Sequence, residues 1–321
     1  MATCLINTVF VDTQQGVSDL VDWISLQDTW LGDIQPPLYI DAEGERLGRD
    51  GKLSLLTILV HPSKFLARPH IIDIHNLGNL AFSTVGGSGK SLKDILESSK
   101  FIKVFFDVRN DSDALHFHYN IKLDGVRDVQ LMENARRRTT NSRKFLSGLA
   151  KCIEESLYGP ERDQWRRSKE KGEKLWNPQK GGSYSVLNIR PLPAELIEYC
   201  IGDVQHLPTL FEKYKCGTDR WKGLVVKESY NRVLTSQTAR YSPHGTDRAL
   251  SPWTPEQNRM LDTWAEVNPQ NDYFGHSEDN GTDDPWDDPW DRRWNKEDEW
   301  DDGCDNDYED WTRADWEGPP S

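Results

Sequence analysis

Leu38-Tyr39-Ile40-Asp41-Ala42-Glu43-Gly44 opens the stretch that decides the fold. An apolar run passes straight into two acids one residue apart. In an extended chain positions i and i+2 share a face, so Asp41 and Glu43 point the same way. Residues 44–51 turn and residues 53–60 form a second apolar strand, which pairs with the first as a hairpin. Outward from this hairpin, residues 8–11 read as a strand. Residues 17–24 read as a helix with Leu20, Val21 and Ile24 on its apolar side. Residues 71–74 and 101–108 read as further strands. Ser91, with Asp94 three residues on, caps a helix, and residues 111–119 form the next. Residues 128–131 are expected as a short strand. Residues 144–157 are expected as an amphipathic helix, and 193–214 as one long helix. Strands first, then strand–helix alternation, predict an α/β fold with a mixed sheet.

The 321 residues carry a net charge of −14, unevenly placed. Residues 251–321 hold 22 acidic and 5 basic side chains, a net of −17, and 8 of the 13 tryptophans. The first 250 residues are left near +3, so the acidic total does not argue against a polyanionic substrate for the body. The tail repeats Asp-Asp-Pro-Trp at 283–286 and 287–290 without an apolar periodicity. It is expected to be disordered, with the Asp-Pro-Trp units as a possible motif for a protein partner. Apolar runs are too short to span a bilayer, and the first residues lack a signal-peptide pattern. Five scattered cysteines without a C-x-x-C pair read as reduced thiols. The expectation is an intracellular protein, nuclear or cytoplasmic, away from membranes.

The chemistry-bearing residues are acids at the ends of apolar elements. Asp41 and Glu43 follow one strand. Asp111 sits just past another, with Asp107 and Asp113 as rivals. Asp203 lies on an apolar helix with Tyr199 one turn before it. Four converging carboxylates do not stay ionised together without cations, and hard oxygen ligands select Mg²⁺ or Mn²⁺. Two such ions form the usual clamp for phosphodiester displacement. The plainer readings are a turn at Asp41 and Glu43, a helix cap at Asp111 and a core ring at Tyr199. Asp203 on an apolar face requires a partner in any case.

The ordered set resembles the DEDD 3′–5′ exonucleases, in their Tyr-containing, RNase D-like branch. The motifs are Asp41-Ala42-Glu43, residues 103–111 ending in Asp111, and Tyr199-Cys200-Ile201-Gly202-Asp203. The likeness covers roughly residues 8–215 and is nearest to fungal members of unassigned role. It implies an RNase H-like (DnaQ-like exonuclease) fold over residues 1–216, a central mixed sheet flanked by helices. Residues 217–250 would be a linker or peripheral segment and 251–321 the acidic Trp-rich tail. It further implies that Asp41, Glu43, Asp111 and Asp203 hold two metal ions and that Tyr199 orients the attacking water. Nucleoside 5′-monophosphates would leave from a 3′ end.

Residues 158–184 are longer and more basic than such a domain requires. Arg162, Trp165, Arg166, Arg167, Lys169 and Lys174 are expected to bind single-stranded nucleic acid, RNA or DNA, the cations at phosphates and the rings under bases. The plainer reading is a solvated helix, diluted by Glu161, Asp163, Glu170 and Glu173. Arg136-Arg137-Arg138 is a second basic cluster with the same two readings. Gly89-Lys90-Ser91 imitates the end of a P-loop, but Thr84 stands where its first glycine belongs. Two function classes follow: an active exonuclease, or a binding module for nucleic acid or protein with a silent site.

Overall fold

The acid-tipped hairpin forms the middle of a six-stranded sheet. The computed structural model describes residues 8–27, 35–60, 67–215, 218–243 and 245–267. Strand β2 (Leu38–Glu43) pairs antiparallel with β3 (Leu55–Val60), Asp41 opposite Thr57 and Glu43 opposite Leu55. The sheet is completed by β1 (Val9–Val11), β4 (Arg68–Asp73), β5 (Lys103–Phe105) and β6 (Val126–Asp128), in the order β1-β4-β3-β2-β5-β6. Only β3 runs against its neighbours. Because β2 and β5 are parallel, the chain leaving β5 emerges beside Asp41 and Glu43.

Alternation along the strands sorts side chains to two layers, as the two-residue period requires. Leu56 and Ile72 face one core with Leu20 and Ile24 of α1 (Gln14–Ser25), Ile95 of α4 (Leu92–Glu97) and Leu115 of α5 (Arg109–Tyr119). Their neighbours Leu55 and Ile71 face the other, with Leu196, Tyr199 and Cys200 of α9 (Ala194–Gln205) and Trp176 of α8 (Gly159–Trp176). Thr13 caps α1 by accepting from the Gly16 N–H, and Ser91 and Asp94 form a capping box on α4. Short helices α2 (Ile74–Leu77) and α3 (Leu80–Ser83) lead from β4 towards α4. The mixed sheet between helical layers is the expected RNase H-like exonuclease fold. Among the described residues no helix is long and apolar enough to cross a membrane.

Several elements differ from the sequence expectation. Only Val126–Asp128 is strand. Asp128 then accepts from the Gln130 N–H and starts α6 (Val129–Ala135), a helix in place of the expected strand at 128–131. The expected helix at 144–157 shrinks to α7 (Leu149–Glu154), because Lys144, Phe145 and Leu146 instead bond the backbone of Ala249, Leu250 and Ser251. The expected single helix at 193–214 breaks at His206 into α9 and α10 (Leu207–Tyr214). Pro208 has no N–H for a continuing helix.

The segment expected as a linker or peripheral segment, 217–250, carries α11 (Asp219–Ser236), which buries Trp221, Leu224, Val225 and Val233. The Arg232 guanidinium bonds Asp128 at 2.7 Å, and Ser229 accepts from the Asp128 N–H. Residues 251–267, expected to be disordered, contain the buried Trp253 and helix α12 (Pro255–Val267). The Trp253 indole donates to Asn134 at 2.7 Å, and fully buried Arg143 pairs with Asn258 and Asp262. This stretch has one basic and three acidic residues, so too little charge to overcome the burial of Trp253 and Leu261. The chain divides into two units, Met1–Asp262 and Thr263–Ser321. Residues 268–321, with both Asp-Pro-Trp units, lie outside the described residues.

Candidate active site

Three elements bring the acids together. Strand β2 presents Asp41 and Glu43 on one face, half-buried, and the helix α9 covering that face presents Asp203, 4% exposed. One carboxylate oxygen from each of these three residues lies within 4.8 Å of the others. Tyr199, one turn before Asp203, is buried beside them, its ring 5.9 Å from that of Trp176. Asp111, in the first turn of α5, stands outside this group of three. It is near enough for Asp41 to act on its charge.

The electrostatics are those of a site short of cations. Burial, then the charge of Asp203, pushes the Asp41 carboxyl up to about 7, against the pull of Lys169 and a hydrogen bond from Glu43. Burial and Asp41 push Glu43 well above its ordinary value. Burial and Asp41 do the same to Asp111. Burial, then Glu43, Asp203 and Asp41, holds the Tyr199 phenol far above its usual range, so its hydroxyl keeps its proton.

Asp111 is separated from its two rivals by what each touches. Asp107 is bound by Arg109 at 2.6 Å and by Arg248 at 3.2 Å. Asp113 is bound by Arg49 at 2.8 Å. Asp111 buries one carboxylate oxygen with no hydrogen-bond partner in the protein. A buried orphan acceptor beside three crowded carboxylates suits a divalent cation with oxygen ligands. The four acids present therefore fit the metal.

Helix α8 lies along α9 on a face spaced 165, 169, 172, 176. Trp165 and Trp176, expected as stacking platforms, are buried on that face and offer no ring to a base. Gly172 sits so close to Tyr199 that a Cβ there would come within 2.4 Å of the tyrosine Cβ. Lys169, expected at a phosphate, turns inward and donates to both oxygens of Asp203, at 2.9 and 3.1 Å. Of the other expected nucleic-acid residues, Arg166 pairs with Glu154 and Lys174 with Glu170. Arg162 is half-buried and Arg167 exposed. In the second basic cluster, Arg136 donates to the carbonyls of Lys213 and Lys215, and Arg137 to Glu133, Ser142 and Phe145. Both are structural ties.

Sequence reasoning missed the arginines that fasten the Asp111 helix. Arg49 donates to Asp113 and to the carbonyls of Ser236 and Thr238, while Arg109 and Arg248 meet on Asp107. Arg49 lies 64 residues from Asp113 and Arg248 lies 141 from Asp107, so no local pattern announces those two; only Arg109, two residues from Asp107, is a local partner.

A model of the 3′–5′ exonuclease family matches residues 10–215, the segment that builds this site. The chain belongs to the 3′–5′ exonuclease family. It is a hydrolase of nucleic-acid phosphodiester bonds acting from the 3′ end, and its family depends on divalent metal ions. Among solved structures this exonuclease is similar to Trypanosoma brucei RNase D in complex with GMP. The TM-score is 0.59 at 19% identity, over 80% of this chain and 71% of that one. The same enzyme in complex with RNA U12 gives 0.57 at 20%, over 80% and 78%. At these identities the likeness is one of fold. No curated protein matches the exonuclease in sequence.

Proposed function

We propose that the exonuclease removes nucleotides singly from the 3′ end of single-stranded RNA, with Asp41, Glu43, Asp111 and Asp203 as ligands for two Mg²⁺ or Mn²⁺ ions. The observation that carries this reading is the convergence of three carboxylate oxygens within 4.8 Å, with the orphan oxygen of Asp111 beside them. Binding alone gives no reason to face a polyanion with four acids. The T. brucei relative, solved in complex with GMP and with RNA U12, supports RNA as the substrate.

Asp41, Glu43 and Asp203 would hold one ion, and Asp41 with Asp111 the other. Such ions supply charge that acidifies an attacking water and steadies the departing 3′-oxygen. Tyr199 keeps its proton and presents a neutral hydroxyl to hydrogen-bond and orient the water. The packing of α8 on α9 fixes that ring against Gly172. Products are nucleoside 5′-monophosphates. The test is a competition between single-stranded RNA and DNA of one sequence, with Mn²⁺. RNA consumed first supports the reading, and DNA consumed first replaces the substrate. Neither consumed leaves the silent binding module.

A further inference from the structure

Helix α8 brings its own cation to the acids. The Lys169 ammonium bridges both Asp203 oxygens, at 2.9 and 3.1 Å, and stands 4.8 Å from the centre of the Tyr199 ring. Its side chain is 17% exposed and that of Asp203 6%, so the pair is largely out of water. A lysine is a compact point charge on a flexible stem, with donors that follow rotation. The backbone beneath it is held in place by buried Trp165 and Trp176 and by the close approach of Gly172 to Tyr199. A departure of Lys169 from Asp203 therefore requires only a swing of its side chain, with α8 in place.

An ammonium that spans both oxygens of a carboxylate competes with a metal ion for the same lone pairs. We infer that Lys169 is a resident counter-cation of the carboxylate cluster, which a divalent ion displaces from Asp203. This deepens the metal reading above and rests on it. The lysine offsets part of the repulsion among Asp41, Glu43 and Asp203 until the ion arrives, at the cost of weaker metal affinity. An incoming phosphodiester offers the freed ammonium a second anion, so metal and nucleic acid strengthen each other's binding through one side chain.

Two measurements on the full chain test this. Calorimetric titration of Mn²⁺ without nucleic acid compares wild type with Lys169→Gln, and the variant is expected to bind about tenfold tighter. Repeated with an oligonucleotide carrying an uncleavable last linkage, the titration shows a gain in Mn²⁺ affinity for wild type and a smaller gain for the variant. On wild type alone, an amine-acylating reagent read by mass spectrometry reports the reactivity of Lys169, expected to rise on saturation with Mn²⁺. That second measurement holds even if the variant does not fold. Unchanged acylation at saturating Mn²⁺, or a folded variant that binds Mn²⁺ no tighter than wild type, overturns the proposal and leaves the metal site standing. Wild type that binds no Mn²⁺ overturns the metal reading and this one with it.

Discussion

Asp203 and Tyr199 share a helix face but offer the site different things. The carboxylate lies among the carboxylate oxygens of Asp41 and Glu43, whereas the phenol brings only a neutral hydroxyl. Tyr199→Phe is therefore expected to slow turnover while keeping Mn²⁺ affinity. Asp203→Ala is expected to lose metal and at least about 10²-fold in rate, since metal activation of water supplies several kcal/mol. Calorimetry that finds equal loss of affinity in both variants contradicts these roles. Lys103 is a different case, fully buried on β5 and donating to the carbonyls of Ile95 and Ser98. Burial lowers its pKa from 10.5 to about 7. Between those values the unfolded chain binds more protons than the folded one, so this group makes stability rise with pH from about 7 to 10. Urea unfolding at pH 7 and pH 9 should show the rise, flattened in Lys103→Met; an unchanged slope in the variant excludes Lys103 as its source. Asp41 and Glu43 were legible in the sequence because they end an apolar strand, and Asp203 because an acid on an apolar helix face requires a partner. The inward turn of Lys169 was not, because its partner lies 34 residues away and a basic helix reads alike whichever cation faces the core.

Pairs of elements set how well those residues are held. Helix α8 meets α9 through Gly172, where a methyl group would fall 2.4 Å from the Tyr199 Cβ and 2.7 Å from its Cγ. Gly172→Ala is expected to destabilise the fold by roughly 1–3 kcal/mol and to lower activity by shifting Tyr199. Wild-type denaturation and turnover would show that the helices yield without cost. The segment 249–262 ties onto α6 and the chain before α7 through Trp253, Asn258 and Asp262. A chain ending at Ala249 loses the burial of Trp253 and Leu261 and the Asn258 and Asp262 partners of Arg143, which should cost about 3–5 kcal/mol. A chain ending at Val267 keeps both. Thermal melts of the two truncations decide this, and equal melting temperatures contradict it. At this scale the sequence was legible where a strand or capped helix stands alone: the hairpin, α1, α4 and α5. It misled where a distant segment competes for the backbone, as Leu250 does for Phe145, and where Pro208 divides one apolar stripe between two helices.

Over the whole chain, charge and chemistry are separated. The acidic excess belongs to residues 251–321, while the first 250 residues are near neutral and carry the sheet, the four acids and the basic helix. A balanced body with one local knot of negative charge suits a substrate drawn in by bound cations. Metal-dependent 3′ exonuclease activity is tested most directly with a 5′-labelled single-stranded RNA incubated with purified full-length protein, first with chelator and then with Mn²⁺. No shortening is expected with chelator. With Mn²⁺ the expected result is a ladder descending one nucleotide at a time from the 3′ end, release of nucleoside 5′-monophosphates, and loss of the ladder in Asp41→Asn. Shortening that persists in chelator, or a ladder undiminished in Asp41→Asn, would contradict it.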